Sequence, residues 1–327
     1  MALPSAGTLT GNANNLTLSN ATDVAGHVTL DFNATGVASN FPVVFGYPYS
    51  SSLNPVTVIL SAANDLAAQD MNCVFVQGIT SDAYTMFTIC FNANYTNIGT
   101  HEYNYHVFES QKDNATGSTF AIAIGGGSTL ATVTQGTDMC GVLDITTKTT
   151  AGVGCTLTYG YQYAVAPIVL FTPKITTGAV DITRVYQGSS TVNNFTIDID
   201  AGCTANNHRY MYHIIETQAG NATFPAISAT TYVAGSQART KCTDVAGNIQ
   251  ILTTTAAGTV SFPYATATPY IIAPIVVFSP INSVAAKLMN GCWVTSNTTY
   301  FTMHIPTNAG PANGTANFAY HVIETQA

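Results

Sequence analysis

Charge is scarce in this 327-residue chain. Only 7% of residues are Asp, Glu, Lys or Arg, against roughly a quarter in ordinary soluble domains. Eight Lys and Arg stand against sixteen Asp and Glu, for a net charge of −8; a nucleic-acid backbone is repelled by such a surface. Long apolar runs are also missing. The most apolar stretch, 270–278, is about half the length of a membrane-spanning helix and is broken by Pro274. No partner of either kind, nucleic acid or inserted membrane, is expected. The N-terminus lacks a basic segment followed by an apolar one, so it does not read as a secretory signal, and Met1 favours synthesis in a cytosol. No Cys-x-x-Cys pair occurs, which removes zinc-ribbon and thioredoxin readings.

What is present is apolar and amide- or hydroxyl-rich. Hydrophobic residues make up 46%, which excludes a disordered chain. A surface this poor in charge suits burial in an assembly, or hydration through hydroxyls and amides. The seven cysteines fit small buried thiols best; Cys73 with Cys90, or Cys140 with Cys155, could bridge neighbouring strands. Asn-x-Ser/Thr sequons at Asn15, Asn20, Asn33, Asn94, Asn114, Asn194, Asn221, Asn297 and Asn313 mark surface loops.

One unit is written three times. Its end reads Tyr103-Asn-Tyr-His-Val-Phe-Glu109, Tyr210-Met-Tyr-His-Ile-Ile-Glu216 and Phe318-Ala-Tyr-His-Val-Ile-Glu324. Its start reads Thr22-Asp-Val-Ala-Gly26, Thr137-Asp-Met-Cys-Gly141 and Thr243-Asp-Val-Ala-Gly247. Between them recur a Pro-led apolar block (Pro55, Pro167, Pro274) and a Phe-Thr step (Phe87, Phe195, Phe301). The period exceeds the 20–45 residues of solenoid repeats. The order predicts an N-terminal arm at 1–22, β modules at 23–111, 138–218 and 244–327, and connectors at 112–137 and 219–243.

Phe87, Ile89 and Phe91 alternate with Thr88 and Cys90, a strand with one buried face. The Pro-led block is continuously apolar and suits a strand buried on both faces. Helix formers are few. The fold class predicted is all-β: three tandem antiparallel β-sandwich, jelly-roll-like modules of about six to eight strands each.

The repeated polar positions are the candidate site residues. Asp23, Asp138 and Asp244, with Gly26, Gly141 and Gly247, predict a turn into a strand. His106, His213 and His321 could meet on a pseudo-threefold axis and hold a metal, but only if the modules cluster closely. In a string of modules they stay apart, and a packed strand histidine is the expected role. Glu109, Glu216 and Glu324 predict a repeated structural task. No nucleophile elbow or phosphate loop is present. No catalytic residue, cofactor or metal is expected, and the chain is not expected to be an enzyme.

The ordered blocks, from Thr-Asp-x-Ala-Gly through Phe-Pro-Tyr-Ala and Ala-Pro-Ile-Val-Val-Phe-Ser-Pro to Tyr-His-Val-Ile-Glu, resemble the β-rich modules of capsid fibre, head-decoration and tail-fibre proteins of tailed phages and large DNA viruses. A fainter similarity is to H-type lectin-like sandwiches, with Tyr-His where those usually carry Trp. The first resemblance implies a non-enzymatic virion surface protein, made in the host cytoplasm. Its expected partners are copies of itself, as in a homo-oligomer or trimer, other capsid or tail proteins, and cell-surface glycan. Two alternatives are a carbohydrate-binding adhesin and an extracellular filament subunit assembled by strand addition. The leader Leu3 to Leu18 is the expected docking segment.

Overall fold

The computed structural model describes residues 3–49, 56–77, 84–109, 121–137, 139–216, 228–229, 238–240, 245–253, 257–264, 270–305 and 314–324. Repeat 1 contributes β1 (Ser5–Ala6), β2 (Ala13–Ser19), β3 (Ala25–Phe32), β4 (Ser39–Tyr49), β5 (Val56–Ala62), β6 (Val74–Gln77), β7 (Tyr84–Phe91) and β8 (Gly99–Glu109). Repeat 2 contributes β9 (Ala121–Ile124), β10 (Ser128–Gly136), β11 (Cys140–Thr147), β12 (Gly152–Thr158), β13 (Ile168–Pro173), β14 (Val185–Ser190), β15 (Asn194–Ile199) and β16 (Asn207–Ile215). Repeat 3 contributes β17 (Ser228–Ala229), β18 (Ala238–Thr240), β19 (Ala246–Thr253), β20 (Gly258–Pro263), β21 (Ile275–Pro280), β22 (Trp293–Ser296), β23 (Tyr300–Ile305) and β24 (Gly314–Ile323). One short helix follows the Pro-led strand in each repeat: α1 (Asp65–Gln69), α2 (Thr176–Val180) and α3 (Ser283–Leu288).

The strands pair antiparallel into six four-stranded sheets. Three have the order β2-β3-β8-β5, β10-β11-β16-β13 and β18-β19-β24-β21. The other three have the order β1-β4-β7-β6, β9-β12-β15-β14 and β17-β20-β23-β22. Together they make a six-bladed β-propeller, two blades to a repeat. Within a repeat the chain passes back and forth between its two blades and does not finish one before starting the next.

This corrects the expectation of three tandem β-sandwich, jelly-roll modules. The all-β class holds, but the repeats are not separate beads. The largest apolar cluster takes Val58, Phe87 and Tyr105 from repeat 1, Val142 and Met211 from repeat 2, and Phe262, Phe278 and Phe301 from repeat 3. The physical reason is that period-2 patterning specifies which face of a strand is dry, not which neighbour dries it. The strands β5, β13 and β21 are buried along their whole length. Each edges its sheet, packs on its own repeat with one face, and meets the other two repeats with the remainder.

The N-terminal arm is not free either. β2 pairs with β3 from Ala13 to Ser19, β1 pairs with β4, and Leu16 is buried. The leader expected to dock on a partner is therefore used inside the chain's own sheets, apart from exposed Leu3. Segments expected as connectors likewise supply β9, β10, β17 and β18. All six described cysteines are buried free thiols, the role expected of them, and neither of the two conceivable bridges forms; Cys242 lies outside the described residues.

Candidate functional site

The three repeats close on each other through one strand each. On an edge strand the outward N–H and C=O groups need partners. Here a hydroxyl from the neighbouring repeat supplies them. The Leu60 N–H donates to Thr172 Oγ1 at 2.9 Å, the Phe171 N–H to Ser279 Oγ at 3.0 Å, and the Phe278 N–H to Ser61 Oγ at 2.8 Å. Ser61 and Ser279 donate back to the carbonyls of Phe278 and Phe171 at 3.2 Å each. Repeat 2 thus serves repeat 1, repeat 3 serves repeat 2, and repeat 1 serves repeat 3. The closure is cyclic, and it makes a pseudo-threefold axis inside one chain.

Two residues along from that ring are Ile59, Leu170 and Val277, and opposite them stand the repeated histidines. His106 pairs with Ile59 and Ala25, His213 with Leu170 and Cys140, and His321 with Val277 and Ala246. Their ring centroids lie 4.9 Å (His106 to His321), 6.2 Å (His106 to His213) and 6.4 Å (His213 to His321) apart. His106 Nδ1 and His321 Nδ1 are 3.1 Å apart, a hydrogen bond that one ring donates. His213 Nδ1 is buried without a partner. The surroundings are apolar: Ile59, Leu170, Val277, Ala246 and Ala319, with Ile215 and Ile323 packed on them and the Phe108 ring in direct contact with His106 and His213. Burial drives the basicity of His106 and His213 well below the ordinary imidazole value and that of His321 down to about 4. Mutual repulsion adds to the shift at His106 and His213. All three rings are neutral near pH 7. The condition that made a histidine cluster conceivable from sequence, close approach of the repeats, is met.

The other repeated positions are architectural. Gly26 faces Tyr105, and a Cβ there would come within 2.6 Å of its hydroxyl. Gly141 and Gly247 face Tyr212 and Tyr320 in the same register. The turns before Gly26 and Gly141 are closed by threonine. Thr22 Oγ1 accepts from the Val24 and Ala25 N–H groups, and Thr137 Oγ1 from those of Met139 and Cys140. Asp23 instead reaches across to accept from the Gly46 N–H at 2.7 Å. Asp138 and Asp244 lie outside the described residues. Glu109, Glu216 and Glu324 are exposed at the ends of the axial strands.

The residues that sequence reasoning missed are a second set of histidines. His101 Nε2 lies 3.0 Å from Asp70 Oδ2, and its Nδ1 lies 3.3 Å from the Gly99 carbonyl. Desolvation works against the Asp70 carboxylate. The His101 ring and the Thr96 and Asn97 amides nonetheless hold it below its ordinary value. His208 repeats the arrangement: Nδ1 is 3.0 Å from Thr177 O, Nε2 is 3.0 Å from Thr204 O and 3.6 Å from Asp181 Oδ2. Cys203 stands beside it, its Sγ 4.0 Å from Nε2.

Asp181, Cys203 and His208 are the one group of three such side chains among the described residues whose ligand atoms already lie within 4.8 Å of one another. Its chemistry is that of a fastener. Both His208 nitrogens face carbonyl oxygens at 3.0 Å, so neither is turned toward a vacant ligand position. Burial, with Asp181 beside it, pushes the Cys203 thiol up to about 12, far from the thiolate a metal requires. Repeat 3 has Ala316 at the histidine position and Leu288, six residues after the helix cap, at the aspartate position. A signal existed: His101-x-Tyr and His208-x-Tyr in two repeats against Ala316-x-Phe in the third.

Comparison with protein-family models, curated proteins and solved structures finds no match.

A crevice of about 250 Å³ lies between repeats 1 and 3, lined by His27, Glu102, Asn104, Pro274, Thr295 and Ser296. His27 Nδ1 is 3.1 Å from Asn104 Oδ1 and Nε2 is 3.6 Å from Glu102 Oε2. No nucleophile is held by this pair.

Proposed function

We propose that this chain is a non-enzymatic structural protein of a virion surface, a preassembled threefold block that works by docking on other components and on host surfaces. The observation that carries the reading is the cyclic closure of three copies of one unit through Ser61, Thr172 and Ser279. One chain thereby presents each surface feature three times around an axis, and weak contacts repeated three times sum to firm attachment. A feature suited to this is the opening turn. Val24, Met139 and Val245 occupy the same place in each repeat and are 49%, 45% and 51% exposed. Their carbonyls accept from Val107, Ile214 and Val322, one residue past each axial histidine, so the three apolar side chains surround one end of the axis. The scarcity of charge fits a surface that is covered in use.

The test is binding of the purified chain to empty capsid shells of a candidate source, read by co-sedimentation, with Val24, Met139 and Val245 all replaced by Lys in a second protein. Saturable binding by the native chain and its loss in the triple variant support the reading. Equal binding by both proteins, or none to any shell alongside strong glycan-array signals, favours the adhesin alternative and overturns it. The filament alternative is met by light scattering: fibres formed by the pure chain at micromolar concentration are its signature.

A further inference from the structure

The axial histidines differ from every other histidine described. His101 and His208 spend both nitrogens on carboxylate or carbonyl oxygens, His27 is held by Asn104 and Glu102, and His304 takes a hydroxyl from Thr295. The axial three have almost nothing. His106 and His321 have each other, and His213 has the backbone of Met139 on one side and an unpartnered, fully buried Nδ1 on the other. Among the described residues, no carboxylate, amide or hydroxyl side chain hydrogen-bonds any of them. A buried polar atom without a partner costs about 1–3 kcal/mol, and His213 Nδ1 carries that cost within an apolar layer.

We propose that His106, His213 and His321 form a transition-metal site, each giving one imidazole nitrogen to a single divalent ion of the zinc class. Three neutral nitrogen donors arranged about an axis, with a fourth position left for water, are the donor set such an ion takes. The nearest carboxylates along these strands are Glu109, Glu216 and Glu324, three residues on and roughly 10 Å away at strand rise. They offset the ion's charge without ligating it.

One obstacle is specific. The third ring stands 6.2 and 6.4 Å from the other two and must close on them for one ion to reach all three. The Phe108 ring is wedged between two of them, its centroid 3.6 Å from that of His106 and 3.2 Å from that of His213, and it must swing out for the rings to close. Repeats 2 and 3 carry Ile215 and Ile323 at that position. Phe108 is thus a gate on the affinity of the site.

The experiment uses the full chain, stripped with chelator and titrated with Co²⁺ at pH 7.5. The expected result is one Co²⁺ per chain, visible absorption bands of a four- or five-coordinate nitrogen site, and their loss on adding Zn²⁺. His213→Gln is expected to weaken binding at least tenfold, Cys203→Ser to leave it unchanged, and Phe108→Ile to tighten it severalfold. The proposal is overturned by no uptake at 100 µM Co²⁺, by uptake indifferent to His213→Gln, or by sulfur-to-cobalt charge-transfer bands that vanish in Cys203→Ser. Should His213→Gln fail to fold, the Phe108→Ile arm decides: affinity unchanged or reduced overturns the proposal.

Discussion

Two histidine clusters sit in the same molecule, one at the foot of repeat 2 and one on the axis, and they are opposites. Around His208 every polar atom has an answer: two carbonyls, a carboxylate, and an amide donating from Thr204 to Asp181 at 2.9 Å. Around His106, His213 and His321 the neighbours are aliphatic or aromatic, and one nitrogen is orphaned. Burial is comparable, so burial alone does not tell a fastener from a site. What separates them is whether the hydrogen-bonding capacity is used up. The His–Asp pairs pin α1 and α2 to the central strands β8 and β16, and repeat 3 does the same work with Leu288, Ala316 and Phe318 packed dry. A buried polar pair that one copy replaces with apolar groups is exchangeable as a unit, although not one member at a time.

The largest effect expected from this contrast is at Asp181. Asp181→Ala removes the carboxylate of a buried pair and leaves the Thr204 N–H without its acceptor, and is expected to lower unfolding free energy by about 3–5 kcal/mol. The double change Asp181→Leu with His208→Ala, which copies repeat 3, is expected to stay within about 2 kcal/mol of the native chain. Urea denaturation of both variants checks this; a double variant as weak as the single one breaks the comparison.

Next comes acidity, which reads the axial cluster in metal-free protein. The folded state holds these imidazoles below their ordinary value, so it binds fewer protons than the unfolded chain. Stability is therefore full above about pH 6.5 and falls as pH drops toward 4, the value for His321. For His321 alone the fall amounts to about 3 kcal/mol. Chemical denaturation at stepped pH in the presence of chelator is the measurement, and His321→Leu is expected to flatten that slope. A slope of opposite sign, or one unaltered by the substitution, breaks the assignment.

A smaller effect belongs to the hydroxyl ring. Ser279→Ala leaves the Phe171 N–H and carbonyl without their partner and is expected to cost about 1–3 kcal/mol. Thr57→Val, which removes a buried hydroxyl that has no partner, is expected to be neutral or mildly stabilising. The pair, measured side by side in thermal melts, sharpens the rule that satisfaction and not burial sets the cost.

The smallest effect lies at the helix starts. The Asn64 and Asn282 side chains cap α1 and α3 by accepting from Ala67 and Ala285 at 2.9 Å, while Ile175 leaves α2 uncapped. Ile175→Asn is expected to raise stability by up to about 1 kcal/mol, read as a shift of the urea midpoint.

Much of the local structure was legible. The Phe-Thr steps became β7, β15 and β23, the prolines at 167 and 274 immediately precede β13 and β21, and the glycines of the opening turn sit where tyrosines need room. The arrangement of the blades was not legible, because a continuously apolar strand such as Ile275–Pro280 says only that both faces are dry. One serine held the missing information: Ser279, with Ser61 and Thr172, interrupts an otherwise aliphatic block at equivalent places in all three repeats. The short helices escaped notice because five or six residues show no helical period; only the caps at Asn64 and Asn282 announce them. The three histidines were visible as a repeated set, read as packed strand residues standing apart; their convergence depends on contacts between repeats that no periodicity encodes.

Closing three copies within one polypeptide has an evolutionary corollary. Three separate chains of one unit would have to be identical, so any change would strike the axis three times at once. Covalent succession lifts that constraint. It lets a single copy carry Phe108 where its siblings have isoleucine, and a single copy abandon its buried acid, so that a nearly symmetric body can accumulate asymmetric, individually adjustable features.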